Sequence, residues 1–284
     1  METWKIGDVK ITSLLEMLQA VPSAALLQAM TPDAVAPHLA WLQPHYVTED
    51  LLVNVAIQSL LVESAGKRII VDTCFGNDRT LPYEGMPVFH TDFLERLSAE
   101  GFGPSDVDVV VCTHLHHDHV GWNTRLVDGT WQPTFPNAEY LIGRSEYLHW
   151  QDHDDFNIDL THNIEPVIAA GLHRFVDPDH QITSEVGLEA TPGHTPGHVS
   201  VRIRSGGQSA LIGGDMIHHP VQVVEQTWVS VPDYDPPRAV ATRQAVLAAL
   251  ANTDTVLIGT HFAEPSAGHV RHDDNGWAWE PLRP

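Results

Sequence analysis

The sequence predicts an α/β fold in which two mixed sheets are packed between helical layers. Two observations predict it. Short apolar runs alternate with segments of helical spacing, and each half of the chain carries strands followed by helices. No tandem repeat, low-complexity tract or long linker divides the 284 residues. We therefore expect a single domain over residues 1–284, which is long enough to bury a full core.

Apolar runs predict four strands in the first half, at residues 51–63, 67–73, 107–113 and 137–143. The third run is short, and we interpret it as a buried strand. Helical spacing predicts a helix over 89–101, which ends at Gly101, and a shorter helix over 144–151.

The second half repeats this pattern, with strands predicted at residues 187–193, 198–205, 208–216 and 254–262. Residues 236–253 predict a helix with proline near its first turn. Each half therefore supplies strands and helices, as two sheets between helical layers require.

Residues 20–50 do not follow the alternation. They mix small apolar residues, prolines and aromatics. The segment is either an ordinary helical connection or a lid over a pocket that carries Trp41, His45 and Tyr46. Both interpretations are open at this point.

Charge and composition limit the class of partner. The chain has 15 basic and 37 acidic residues, a formal net charge of −22, and such a surface repels phosphate backbones. We therefore expect neither nucleic acid nor a membrane as partner. No stretch approaches the ~18 apolar residues of a membrane span, and no signal peptide is recognised, which predicts a cytoplasmic protein. Cys74 and Cys112 each end an apolar run and are interpreted as buried free thiols.

The motif HLHHDH at residues 114–119 follows a predicted strand. His114 and His116 are two residues apart, so in extended backbone both imidazoles can meet one ion. Asp118 and His119 come at the turn into a helix and can face a second ion, whereas His117 is expected to point elsewhere. Nitrogen and oxygen donors suit Zn²⁺, and also iron, manganese or cobalt.

Three further donors also come where predicted strands end: His194 in TPGHTPGH, Asp215 in GGD and His261 in GTH. They could converge on one edge of a sheet, and a carboxylate has two oxygens that can bridge two cations. The predicted dinuclear site has one ion held by His114, His116, His194 and Asp215, and the other by Asp118, His119, His261 and the shared Asp215.

The order of these motifs, with VDT at residues 71–73, resembles the metallo-β-lactamase superfamily over most of residues 50–265. The resemblance implies an αβ/βα sandwich with metals at one edge of the two sheets. It also implies that Asp72 matches the family aspartate that supports the metal site, where it would orient an imidazole ligand.

Two adjacent divalent cations would hold a hydroxide, because they lower the pKa of water from 15.7 toward about 7. The expected reaction is attack on an electrophilic carbon or phosphorus, with Asp118 orienting the hydroxide or receiving a proton. His218 is predicted to donate a hydrogen bond to the leaving group or the developing oxyanion. The alternative is a structural histidine behind the metal ligands.

Two branches of the superfamily resemble the chain most. Quorum-quenching N-acyl homoserine lactonases share the histidine motifs, but a tyrosine stands where this chain has His218. The methyl parathion hydrolase group, with its related aryl-lactone and ester hydrolases, is expected to be the more similar. The presence of Asp215 argues against a true dinuclear β-lactamase.

Three hypotheses follow. The first is a dinuclear metallohydrolase acting on a small lactone or carboxylic ester, with an aromatic pocket wall drawn from Phe75, Trp122, Trp150 and Phe262. The second is an organophosphate triesterase that uses the same site. The third is a metal- or ligand-binding protein without turnover. A homodimer is also expected, because the N-terminal segment carries apolar residues.

Overall fold

The structure is a computed structural model that describes residues 1–80 and 87–282. It contains two mixed sheets with helices on their outer faces, so the predicted fold class is confirmed. The prediction of one domain over 1–284 includes residues 81–86 and 283–284, which lie outside the described residues. It stays a prediction.

Up to residue 176, the described residues form nine strands: β1 (Thr3–Ile6), β2 (Val9–Pro22), β3 (Leu52–Ser64), β4 (Lys67–Val71), β5 (Val109–Val111), β6 (Thr124–Val127), β7 (Thr130–Pro133), β8 (Glu139–Gly143) and β9 (His173–Val176). Seven of them form one sheet in the order β1-β2-β3-β4-β5-β8-β9. The first four pair antiparallel, and the pairs from β4 onward are parallel. Strands β6 and β7 form a separate hairpin.

The second half forms six strands: β10 (Val186–Ala190), β11 (Val199–Ser205), β12 (Gln208–Ile212), β13 (Val256–Ile258), β14 (Ala267–Asp273) and β15 (Gly276–Pro281). They lie side by side in chain order. Only the β12–β13 pair of this sheet is parallel.

The described helices are α1 (Ser23–Leu26), α2 (Pro32–Val35), α3 (Leu39–Leu42), α4 (Phe93–Ala99), α5 (His117–Val120), α6 (Arg144–Asp152), α7 (Leu160–Asn163), α8 (Glu165–Ala169), α9 (Val221–Val224) and α10 (Pro236–Leu250). Short 3-10 helices cover Ala36–His38, Gly121–Asn123 and Gly214–Met216. In the part of the chain that the structure describes, no helix has both the length and the apolar character needed to cross a membrane.

Alternation along the strands builds two apolar layers. Val109 and Val111 of β5 join a cluster with side chains of the opposite sheet, such as Val201 and Ile258. The residue between them, Val110, points the other way and joins the outer cluster that includes Leu97 of α4. Successive side chains of a strand face opposite ways, so a fully apolar strand buries both faces.

Several predicted elements end earlier than the pattern indicates. The strands predicted at 67–73, 107–113, 208–216 and 254–262 end at Val71, Val111, Ile212 and Ile258. Beyond these points the backbone leaves the sheet, and Asp72 has a positive φ of 59°. The donor side chains therefore lie on loops just past the strand ends. The helix predicted at 89–101 begins only at Phe93, because Thr91 is held by hydrogen bonds with Asn77.

Residues 20–50 form the end of β2 followed by short helices. Tyr46 is a buried core residue whose hydroxyl donates to the Pro265 carbonyl at 2.7 Å. With Trp41 and His45 it lines a cavity of about 1230 Å³ whose lining includes none of the predicted metal donors. The segment also contacts the loop between α9 and α10, because Val231 donates its backbone N–H to the Leu26 carbonyl at 2.9 Å. A lid function for 20–50 stays a prediction.

Candidate metal centre

The predicted donors lie on loops at one edge of the two sheets. In the first sheet, Asp72 follows β4 and residues 114–119 follow β5. In the second sheet, Asp215 follows β12 and His261 follows β13, while His194 lies between β10 and β11. The pairs β4–β5 and β12–β13 are parallel, so the carboxyl ends of their strands meet at a common edge. The donors converge there.

The first donor group consists of His114, His116, His194 and Asp215, with one donor atom of each within 4.8 Å of the others. Nε2 of His194 is 3.0 Å from His116 Nδ1 and 3.3 Å from Asp215 Oδ2. Nε2 of His114 is 3.8 Å from the same Asp215 oxygen. All four side chains are buried. These are the four residues predicted for one ion.

The second donor group consists of Asp118, His119 and His261. Nε2 of His261 is 3.2 Å from His119 Nε2 and 3.5 Å from Asp118 Oδ2. Asp215 also faces this group, because its Oδ1 is 3.3 Å from His119 Nε2 and 3.1 Å from His261 Nε2. Asp215 therefore lies between the two groups, the position predicted for a shared carboxylate.

Hydrogen bonds in the second group determine which ring nitrogen faces the site. Nδ1 of His119 donates to Asp72 Oδ2 at 2.8 Å, and Nδ1 of His261 donates to the Ala56 carbonyl at 2.8 Å. Each bond holds a proton on Nδ1 and turns Nε2 toward the site as the metal-binding atom. Asp72 thus makes the contact predicted for it.

The first group is oriented in the same way. Nδ1 of His194 donates to Asp233 Oδ1 at 3.0 Å. The Thr113 hydroxyl donates to Asp72 Oδ2 at 2.8 Å, so its oxygen accepts from His114 Nδ1 at 3.1 Å. Both imidazoles therefore present Nε2 to the centre.

This donor set fits divalent metal ions. His116 Nδ1 and His194 Nε2 face each other at 3.0 Å, and two such lone pairs need a proton or a cation between them. His114 Nε2 and Asp215 Oδ1 are buried without a hydrogen-bond partner among residues 1–80 and 87–282. Ligand atoms around a tetrahedral zinc ion lie roughly 3.3 Å apart, close to the separations observed here. Nitrogen and oxygen donors of this kind suit Zn²⁺.

The charges of the centre are strongly coupled. Burial lowers the pKa of His119, but Asp215, Asp118 and Asp72 outweigh burial and raise that pKa well above its ordinary value. The pKa of His261 is also raised, again against burial and by Asp215 above all. Burial raises the pKa of Asp215, and the imidazoles led by His119 outweigh it and hold this pKa well below its ordinary value. The metal-free centre therefore pairs imidazolium with carboxylate.

We expect zinc binding to release protons at pH 7. The raised pKa values favour the protonated forms of His119 and His261 in the metal-free protein, and zinc binds only the unprotonated ring nitrogen. Apparent zinc affinity should therefore rise with pH up to these raised pKa values and fall as the pH is lowered. Calorimetry in buffers of different ionisation enthalpy should show about one to two protons released per protein. A binding heat that is the same in every buffer would contradict this expectation.

Asp118 and His218 occupy different surroundings. The Asp118 side chain is 18% exposed, whereas the other donors of both groups are buried, so Asp118 is the donor most accessible to solvent. His218 is buried, with Nε2 at 3.2 Å from Asp215 Oδ2 and its ring parallel to that of His261 at 5.8 Å. Burial lowers its pKa, so His218 is a neutral imidazole. Its predicted role toward an oxyanion stays a prediction.

Other sequence predictions near the site have mixed outcomes. His117 points away from both groups, and its Nε2 donates to the Phe156 carbonyl at 3.1 Å. Of the four predicted pocket walls, Trp150 lies near a donor, with its ring 6.5 Å from that of His116. The other three, Phe75, Trp122 and Phe262, are buried in the apolar core.

Two residues that hold the donors were not predicted. Asp233 orients His194 from 39 positions away, and His198 accepts the backbone N–H of Asp215 on its Nε2 at 2.9 Å. The motif DYDPP shows only a helix start, which is the role of Asp235 at the beginning of α10. Nothing in the local pattern separates Asp233 from an ordinary loop aspartate.

We expect Asp233→Asn to weaken the binding of one metal ion. Asparagine can still accept a hydrogen bond from His194 Nδ1, but it lacks the charge that makes the imidazole a stronger ligand. The expected loss of zinc affinity is about 10- to 100-fold. Competition with a chromophoric chelator measures it, and Asp235→Asn on the same loop serves as the control. Equal affinity in Asp233→Asn and the unmodified protein would contradict this role.

The fold and the donor loops define the class of the chain. Residues 53–261 match the family described as the Metallo-beta-lactamase superfamily, and the chain belongs to that superfamily. The resemblance predicted from the motif order is therefore confirmed.

Among curated relatives, several are named N-acyl homoserine lactonase. One from Bacillus cereus is 26% identical over 175 residues, which is 56% of this chain and 62% of the relative. One from Bacillus sp is 30% identical over 175 residues, with the same coverage. AttM of Rhizobium radiobacter is 32% identical over 117 residues, covering 39% of this chain and 41% of AttM. The chain thus matches less than two thirds of the length of these relatives.

Solved structures align over nearly the whole chain. The hydrolase AbOPH of the beta lactamase superfamily aligns with a TM-score of 0.82 at 25% identity, covering 99% of this chain and 97% of that one. AidC, a dizinc quorum-quenching lactonase in complex with a product N-hexanoyl-L-homoserine, aligns with a TM-score of 0.79 at 24% identity. That alignment covers 100% of this chain and 97% of AidC, and it supports the fold.

Proposed function

We propose that this chain is a dinuclear zinc hydrolase that opens a small lactone or cleaves a carboxylic ester. The observation that carries the proposal is the pair of donor groups that share Asp215. The curated relatives named N-acyl homoserine lactonase support the choice of substrate class. A net charge of −22 favours an uncharged substrate over a phosphorylated one.

In this proposal Asp118 and His218 have different roles in the reaction. A bound metal pair would supply a hydroxide nucleophile at neutral pH and polarise the carbonyl oxygen of the substrate. Asp118, the partly exposed donor, would orient the attacking water and take its proton. Neutral His218, beside the shared carboxylate, would donate a hydrogen bond to the oxygen that gains charge.

The narrower predictions are also part of this proposal. Closer kinship with the methyl parathion hydrolase group than with the lactonases, location in the cytoplasm and assembly as a homodimer stay predictions. Light scattering of the purified protein tests the last of these. The substrate panel described next tests the first.

Metal content and turnover test the proposal together. The protein is purified without chelator, its metals are counted by mass spectrometry, and it is assayed on an acyl-homoserine lactone, dihydrocoumarin, an aryl ester and a phosphotriester. We expect about two metal ions per chain and turnover of a lactone or ester. His116→Ala should abolish turnover, and the control His90→Ala, at an exposed position, should not. Turnover of the phosphotriester alone would move the assignment to organophosphate hydrolysis, and two metals without any turnover would favour a binding protein.

A further inference from the structure

Two buried carboxylates, Glu16 and Glu146, belong to neither donor group and form no hydrogen bond with a donor side chain. Glu16 is 6% exposed and Glu146 is 1% exposed, and neither forms an ion pair among the described residues. Burial raises the pKa of both carboxyl groups, and hydrogen bonds from a tryptophan side chain and backbone N–H groups oppose it. A carboxylate without a cationic partner is costly to bury. The hydrogen bonds that it accepts offset this cost and fix the segments that donate them.

Glu146 joins the elements around the first donor group. Its Oε1 accepts from Trp150 Nε1 and its Oε2 accepts from the Gly197 backbone N–H, both at 2.7 Å. Gly197 lies three residues after His194, and the Trp150 ring lies against His116. The Glu146 carboxylate thus connects helix α6 to the loop that carries His194. It also holds Trp150, whose ring lies beside His116.

Glu16 makes the equivalent contacts around the second donor group. Its Oε1 accepts from Trp122 Nε1 at 2.7 Å and its Oε2 accepts from the Phe75 backbone N–H at 2.9 Å. Trp122 lies three residues after His119, and Phe75 lies three residues after Asp72, the partner of His119. Glu16 therefore holds both segments that form the Asp72–His119 hydrogen bond, the one after Asp72 and the one after His119.

Close backbone packing accompanies each carboxylate. A Cβ at Gly197 would lie 2.5 Å from the backbone nitrogen of Glu146, and a Cβ at Gly121 would lie 1.7 Å from the Phe75 carbonyl oxygen. Both distances are far below van der Waals contact, so these glycines bring the loops directly onto their neighbours. The carboxylates fix loops that have little room to adjust.

We propose that Glu146 and Glu16 are matched positioning residues, with Glu146 holding the first donor group and Glu16 holding the second. The hydrogen-bond donors of the two carboxylates have no residue in common, so each should affect the affinity for one ion more than the affinity for the other. The inference rests on the proposed function, because it concerns the same metal centre.

The test replaces each carboxylate by its amide. Glu146→Gln and Glu16→Gln keep the shape of the side chain. In the unmodified protein each of the two carboxylate oxygens accepts from one N–H donor, so in the variant the NH₂ group must face one of these donors and that hydrogen bond is lost. The proteins are loaded with cadmium-113, and the two ions are followed by NMR while a chelator competes for them. Resonances are assigned by their absence in His116→Ala, for the first group, and Asp118→Ala, for the second.

We expect Glu146→Gln to weaken binding of the first ion about tenfold and to leave the second within about twofold. Glu16→Gln should do the reverse. Trp150→Phe and Trp122→Phe remove the indole donor and keep an aromatic ring, and they should repeat the two patterns with smaller changes. These two variants decide the test if a glutamine variant does not fold. Glu185→Gln, which changes a carboxylate held by Ser64 and Ser205 far from the donors, should change neither ion.

Equal weakening of both ions by both variants would overturn the proposal, and so would no weakening by either. The unmodified protein separates this inference from the proposed function. Two tight cadmium sites without turnover of a lactone or ester would reject the proposed substrate and leave the positioning roles to be judged by the variants. Fewer than two sites in the unmodified protein would reject both.

Discussion

Asp215→Asn should reduce turnover at least about a thousandfold, more than the loss of any residue outside the donor groups. Asp215 faces both groups, so an amide in its place removes the negative charge that balances two cations. Without the metal pair the pKa of the attacking water returns toward about 15.7, and little hydroxide is present at neutral pH. Steady-state kinetics with the best lactone or ester, beside metal counts, measures the loss.

The matched control for this change is Asp235→Asn, which alters an aspartate at the start of α10. It should keep two metal ions and most of the turnover. If Asp215→Asn keeps two metal ions and more than about a tenth of the turnover, Asp215 is not the shared ligand that the reaction requires.

Removal of metal should lower the thermal stability of the protein by on the order of 10 °C. The donor loops bury imidazoles and carboxylates close together, and in the absence of cations some of their atoms, such as His114 Nε2, have no hydrogen-bond partner among the described residues. An ion present at about a thousand times its Kd stabilises the folded state by about 4 kcal/mol, and a protein of this size shifts its Tm by about 2–4 °C per kcal/mol. Calorimetry before and after dialysis against a chelator, followed by zinc, measures the change.

Zinc should restore the lost stability, and magnesium should not, because magnesium prefers an octahedral shell of oxygen ligands. His90→Ala serves as control, since its side chain lies outside both groups and should respond to the chelator as the unmodified protein does. An unchanged Tm after complete metal removal would contradict a metal centre built into the fold.

The sequence predicts the donors because they obey local rules. His114 and His116 have strand spacing directly after an apolar run, and Asp215 and His261 also follow apolar runs. Parallel pairing then brings those strand ends together at one edge. A short motif at a strand end is therefore enough to place a donor, even where the predicted strand was several residues too long.

The residues that orient the donors follow no such rule. Glu16 reaches Trp122 across 106 positions, and Asp233 reaches His194 across 39. The chain has 37 acidic residues, and the sequence alone does not separate those that will be buried from those that will be exposed, so only the tertiary contacts distinguish them. The hairpin β14–β15 was missed because β14 carries the polar residues His269, Arg271, His272 and Asp273, and β15 is short and contains Gly276 and Pro281.

The structure of segment 20–50 could not be predicted from the sequence, because its prolines and short apolar stretches follow neither the helical nor the strand periodicity for more than a few residues. The structure resolves it into one-turn helices that contact the loop before Asp233 through Leu27 and Ser230. Tertiary contacts, and not propensity, stabilise such short helices.

The most direct test of the central claim is anomalous diffraction at the zinc absorption edge from crystals grown with zinc. Two peaks are expected, one among His114, His116 and His194, and the other among Asp118, His119 and His261, with Asp215 contacting both. A single peak, or peaks that do not lie among these residues, would contradict a dinuclear centre at this edge of the sheets.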